Sequence, residues 1–178
     1  KHFSGNVFFM TACLIAIAKY NKTNSSILQW VHNGRDEDIK MNTVGLLFHT
    51  LPMVMENIDK YSTLDLLEKV KEISEYEIAN PYYDYMKKYQ FSLETTVFFL
   101  FQNDIYNFKQ YDNILEKSID IDDKTATADS LIEIHVISNS NENDYKCKIR
   151  YSSSHYKKES MKKFFDIFNN TVKEMLNK

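Results

Sequence analysis

Trp30-Val31-His32-Asn33-Gly34-Arg35-Asp36-Glu37 is followed, after a short polar spacer, by Val44-Gly45-Leu46-Leu47-Phe48-His49-Thr50-Leu51-Pro52-Met53-Val54. The whole chain has only 3 glycines and 2 prolines. Gly34, Gly45 and Pro52 all fall in this stretch. A chain so poor in glycine places it where the backbone needs a positive φ or a close approach. The stretch is therefore a structural special case. A strand over Ser26 to His32 should end at the Asn33-Gly34 turn. A turn at Gly45 should then lead into an extended segment through Pro52.

Working outward, Asn6 is expected to cap a helix over Val7 to Tyr20. Nearly every face of that helix is apolar, so it should be buried on most sides. Ser62 and Asp65 have capping-box spacing ahead of a helix whose stripe is Leu66, Leu67, Val70, Ile73 and Ile78. Pro81 should end or redirect it. Tyr82 to Tyr89 has the spacing of a short helix, with Tyr82, Tyr83, Tyr85 and Tyr89 packing in the core or lining a channel. Thr95 to Phe101 is continuously β-branched and aromatic, which predicts a central strand buried on both faces. Asp104 to Asp129 is polar and poorly periodic, as a long functional or disordered loop is. Leu131 to Ile137 and Tyr145 to Tyr151 predict a hairpin. Ser160 to Leu176 predicts an amphipathic helix with a stripe of Phe164, Phe165, Phe168, Val172, Met175 and Leu176. The order is helix, strand, irregular segment, helix, strand, loop, hairpin, helix. It predicts one α/β domain over residues 1–178, a two-layer sandwich of a mixed sheet with helices on one side.

Composition excludes several classes. The net charge of −3, with interleaved lysines and acids, offers no electrostatic footprint for nucleic acid. No apolar run reaches the ~20 residues that span a bilayer. The longest, Val7 to Ala18, has no cleavage site after it, so no membrane partner or signal peptide is expected. The chain opens on Lys1 rather than Met, as a fragment or a processed chain would. Cys13 and Cys147 are expected to be unpaired small hydrophobes in a reducing, cytoplasmic setting. No metal site is expected: His2, His32, His49, His135 and His155 have no ligand spacing. There is no nucleophile elbow, phosphate-cradling loop or dinucleotide fingerprint.

The quoted stretch resembles a segment in the C-terminal lobe of nonribosomal peptide synthetase condensation domains, which are two-lobed relatives of chloramphenicol acetyltransferase. That family carries Gly-Arg, a variable spacer, then Val-Gly-x-Phe-x-Asn-Thr-Leu-Pro-x-Arg. Gly34-Arg35 and Val44 to Val54 match it in order, with His49 in place of Asn and Val54 in place of Arg. Asn6 to Tyr20 is similar to the buried helix that precedes this segment. Val97 to Asn103 is similar to a strand ending in Gln-Asn. Leu131 to Ile137, Lys148 to Tyr151, Tyr156 and the last helix are similar to the closing strand pair and helix. The family's His-Gln-Asp-x-Pro-Phe-Glu segment is barely matched around Ile78 to Asp84.

The resemblance implies one lobe of a chloramphenicol acetyltransferase-like fold, with the N-terminal catalytic lobe absent from this chain. The family's His-His-x-x-x-Asp-Gly motif belongs to that other lobe, and no adjacent His pair occurs here. The implied function is support of an acyltransferase-type site that joins carrier-bound aminoacyl or peptidyl thioesters by an amide bond. The chain alone would be inactive. The implied partners are the missing lobe and acyl or peptidyl carrier proteins that present phosphopantetheine, with no cofactor bound directly. The resemblance makes Arg35, preceded by Gly34, the inter-lobe strut that holds an Asp of the other lobe; a surface arginine after a turn is the alternative. Without that partner, Arg35 should be more exposed or find Asp36 or Asp38. His49, Thr50, Gln102 and Asn103 would stand near the tunnel, although strand-end hydrogen bonding suits them equally. An exposed inter-lobe face should promote self-association. A non-catalytic, carrier-docking module of the same fold is the second reading.

Overall fold

A computed structural model describes residues 2–35, 43–82, 87, 97–103, 132–139 and 144–177. The elements are α1 (Gly5–Asn21), β1 (Ser26–His32), β2 (His49–Met55), a 3-10 turn (Ile58–Lys60), α2 (Thr63–Ala79), β3 (Val97–Asn103), β4 (Ile132–Asn139), β5 (Asp144–Tyr151) and α3 (Lys158–Leu176). The spacer at 36–42, most of the tyrosine-rich stretch at 83–90 and the polar region at 104–129 lie outside the described residues.

Among the described residues, five strands form one mixed sheet in the order β2-β1-β3-β4-β5. β1, β3 and β4 run parallel, and β2 and β5 flank them antiparallel. The α/β class and mixed sheet match the sequence expectation. Leu28, Trp30, Leu51, Met53, Phe99, Ile134 and Val136 alternate along their strands into the core. α1 lies across β1 and β3, and α2 and α3 pack on α1. β3 is central, but only Phe99 of its core row is fully buried, while Phe98 and Leu100 on the alternate face are half-buried. This corrects the expectation of a strand buried on both faces. Continuous apolar sequence marks a central position here, yet the described helices cover one face only.

Ser4, not Asn6, caps α1: its Oγ accepts the Val7 N–H at 3.3 Å. The helix starts earlier than its apolar run because Ser4 can reach the third amide of the first turn. Thr11 lies inside the core and its hydroxyl donates to the Val7 carbonyl at 2.8 Å, which satisfies a polar group on an otherwise apolar helix. α2 opens with the expected box: Ser62 Oγ accepts from Asp65 N–H, and the Asp65 carboxylate accepts from Ser62 N–H. α3 buries Met161, Phe164, Phe168, Thr171 and Met175. Leu176, expected in that stripe, is 70% exposed at the helix end. Lys19 spans α1 and α3, donating to Glu174 at 2.7 Å and to Thr171 at 3.3 Å. Phe9 at the start of α1 meets Phe101 and Tyr145, so the aromatic content closes that end of the sandwich.

Candidate functional site

The parallel strands place their carboxyl ends at one sheet edge, where open α/β sheets commonly bind ligands. Gly34, Arg35, His49, Thr50, Gln102 and Asn103 all lie at that edge. The antiparallel register sets His32 opposite His49 and Val31 opposite Thr50. The β3–β4 register carries Gln102 and Asn103 to Ile137 and Ser138.

The turn after β1 is built on glycine. Gly34 is buried with φ of 65°. A Cβ there would stand 1.9 Å from the Leu47 carbonyl oxygen. Glycine is required for both the left-handed conformation and the close backbone approach. Asn33 Oδ1 accepts the Arg35 N–H at 3.0 Å, closing the turn.

The turn aims Arg35 at the segment that leads into β2. Its guanidinium donates to the Thr43 carbonyl at 2.8 Å and to the Gly45 carbonyl at 3.2 Å. Two nitrogens of one planar fork therefore hold alternate carbonyls of the same segment. Arg35 is half-exposed. Asp36 and Asp38, the acids anticipated for it, lie outside the described residues. Gly45 has φ of 156° and open space around it, so its backbone rather than crowding calls for glycine. Apolar side chains of the held segment face solvent: Val44 at 100%, Leu46 at 81% and Phe48 at 48% exposure.

The expected tunnel residues separate onto two faces. His49 alternates in step with Leu51 and Met53, on the helix side, and Tyr82 meets its ring edge-on at 5.2 Å. Tyr82 is exposed, so this member of the tyrosine group is outside the core. Thr50 and Gln102 are exposed and alternate out of step with the buried rows, which puts them on the face without helices. His49, Thr50 and Gln102 share an edge but do not form one wall.

Beneath the edge, Trp30 Nε1–H donates to Glu77 at 2.8 Å, with both residues buried. Glu77 was not anticipated. Its spacing from Val70 and Ser74 places it on the buried stripe of α2, and an acid on such a stripe is the available signal. No group of three or more metal-ligating side chains occurs among the described residues. No described helix is long and apolar enough to cross a membrane. The edge offers a cation, imidazoles, exposed amide and hydroxyl groups, and an apolar strip. These can hold and orient a polar chain or a second protein surface.

This chain belongs to the condensation-domain family, whose model matches residues 1–178. Its architecture is similar to solved condensation and epimerization domains. The epimerization domain from the third module of tyrocidine synthetase B superposes with a TM-score of 0.67 at 14% identity, covering 99% of this chain and 42% of that one. A structure of condensation domain-mediated chain release from the enacyloxin polyketide synthase gives 0.67 at 11%, covering 96% of this chain and 35% of the other. The first condensation domain of the CDA synthetase gives 0.65 at 9%, covering 94% and 38%. At these identities the likeness is one of fold. The chain spans about two-fifths of the length of the structures that it matches. No curated protein sequence matches it significantly.

Proposed function

We propose that this chain is the C-terminal lobe of a nonribosomal peptide synthetase condensation domain. It would support the site at which an N-terminal lobe, carrying the catalytic His motif, forms amide bonds between carrier-bound thioesters. In that reaction the acceptor amine attacks the thioester carbonyl, the C–N bond forms, and the C–S bond breaks to release the donor arm as a thiol. The catalytic histidine comes from the other lobe. The reading is carried by coverage: the chain is matched to the family over residues 1–178 yet covers less than half of each similar structure, and it has no adjacent His pair.

Within this reading Arg35 is the strut. Its fork braces the 43–45 backbone, and a guanidinium has five N–H donors, enough to hold an Asp of the other lobe as well. Thr50 and Gln102 offer exposed hydrogen-bonding groups on the helix-free face, suited to the amide-bearing phosphopantetheine arm of a carrier. Asn103 ends the same strand, and His49 supports the edge from the helix side. Phosphopantetheine is then a partner-borne part of the substrate, and the setting is cytoplasmic.

The test is a condensation assay with two loaded carrier proteins. The 178-residue chain should give no product, and the polypeptide that joins it to an N-terminal lobe should. Turnover by the 178-residue chain at the rate of the joined protein overturns the reading. An N-terminal lobe without His-His-x-x-x-Asp-Gly replaces it with a non-catalytic carrier-docking module.

A further inference from the structure

The chain has 2 cysteines, far apart in sequence, and the fold turns both toward one seam. Cys13 is buried on α1, within the core. Cys147 lies on β5 directly opposite Val136, which is wholly buried beneath the helices. Residues directly opposite in a ladder share a face, so Cys147 also points into the helix layer. It packs against the core from there. α1 returns to β1 through a short turn and so runs antiparallel to it; β5 is antiparallel to β4, and β1, β3 and β4 are parallel. α1 and β5 therefore run in the same direction. Phe9 of α1 meets Tyr145 of β5 with 4.8 Å between ring centroids. From that contact Cys13 stands one helical turn further on, about 6 Å. Cys147 stands two strand residues further on, about 7 Å. Equal steps from one contact bring the two thiols to the same level of the seam. The Cys147 thiolate accordingly opposes ionisation of Cys13.

We infer that Cys13 and Cys147 are a paired modification site, which takes a disulfide across the α1–β5 seam when a small-molecule disulfide oxidises it. The pair is independent of the proposed function. Cys147 is the entry thiol: it is half-buried on the strand at the end of the described sheet, whereas Cys13 has no exposure. Its thiolate attacks one sulfur of the oxidant, whose S–S bond breaks, and one half leaves as a thiol with the proton that Cys147 has shed. Cys13 then gives up its proton and attacks the Cys147 sulfur of the mixed disulfide. The protein S–S bond forms, and the second half leaves as a thiol with that proton. Two cysteine thiols are oxidised, and one disulfide is reduced to two thiols. The link fastens the middle of α1 to β5 and closes a loop that spans most of the chain.

The experiment equilibrates the 178-residue chain with reduced glutathione and glutathione disulfide, in buffer and in denaturant. Burial makes the exchange slow, so each mixture is held until its composition stops changing. The samples are quenched in acid, digested and mapped by mass spectrometry. The native chain should carry a Cys13–Cys147 link within one molecule. Its equilibrium constant should exceed that of the denatured chain by about tenfold or more, because folding holds the thiols together. In Cys13→Ala, Cys147 should stop at the mixed disulfide with glutathione. In Cys147→Ala, Cys13 should stay reduced. The peptide map of the unsubstituted chain decides the case even where a variant folds poorly. Glutathione on Cys147 with Cys13 still reduced in the native chain overturns the pairing. A link formed only between two copies of the chain overturns it as well. So does a link no more favourable in the native chain than in denaturant, since the fold would then contribute nothing to it.

Discussion

The indole Nε1–H of Trp30 donates to the Glu77 carboxylate across 2.8 Å, in a seam between β1 and α2 that excludes solvent from both side chains. The bond ties the strand end that precedes Gly34-Arg35 to the last turns of α2. A buried carboxyl group needs hydrogen-bond partners, and Trp30 is one of them. Trp30→Phe keeps the aromatic volume in part but removes the donor. It should destabilise the fold by about 2–4 kcal/mol, measured by urea unfolding. Glu77→Gln, which retains an acceptor, should cost less. A Trp30→Phe loss smaller than that of Glu77→Gln would show that partners of Glu77 other than the indole hold the seam.

Gly34→Ala tests the turn. The added Cβ meets backbone, which cannot swing aside as a side chain would, and the left-handed φ adds strain. The variant should lose at least about 2 kcal/mol, or roughly 4–8 °C in Tm for a chain of this size. A calorimetric scan within a degree of the parent would mean that the turn relaxes freely.

Arg35→Lys should separate charge from geometry. A lysine preserves the positive charge but cannot place two fixed nitrogens on the carbonyls of Thr43 and Gly45. Global stability should change by under about 1 kcal/mol, because the bonds are at the surface. Amide exchange at 43–48 should quicken, as mass spectrometry of deuterated peptides would show. Unchanged exchange there would remove the bracing role.

His135 predicts a pH dependence on the sheet's helix-free face. Burial pushes its pKa below the ordinary 6.5, with Glu133 opposing and Arg150 and Lys148 adding to the decrease. The folded state therefore binds a proton there less readily than the unfolded chain. The contribution to stability is full above about pH 6.5 and is lost as pH falls through the lowered value. His135→Gln should flatten that part of the stability profile in chemical denaturation at stepped pH. An unaltered profile would assign the acid sensitivity to other groups.

The cysteines predict the opposite limb. Burial raises Cys147 from 9.0 to about 11 and raises Cys13 as well, with Cys147 adding to the shift of Cys13. Both thiols stay protonated in the folded state where the unfolded chain would ionise. Their contribution is present below about pH 9 and is lost as pH rises toward 11. Both thiols should react slowly with a disulfide reagent near pH 8 and quickly in denaturant. A fast phase that accounts for both thiols under native conditions would contradict the burial of Cys13.

Local signals in the chain were sufficient for the elements. Alternation and β-branching marked β1 and β3, the Ser62–Asp65 spacing marked the start of α2, and Pro81 its end. Helix starts were less clear: Ser4 and Asn6 are both competent caps, and only the geometry of the first turn chooses between them. Residue order also carried the family, because Gly34-Arg35 and Val44 to Val54 follow one another as the family's pattern does.

Pairings between distant segments were settled only in three dimensions. Strand pleating sends His49 and Thr50 to opposite faces, although they adjoin in sequence and were grouped together. A hydrogen bond spanning 47 positions ties Glu77 into the core, a pairing that no local signal names. Arg35 found backbone carbonyls, which have no sequence identity to reveal them. The chain's own order determines which segments become helix or strand, since those preferences act over a few residues. The folded sheet decides which side chains share an edge, a face or a charge, since those depend on register and on contacts between segments far apart in the chain.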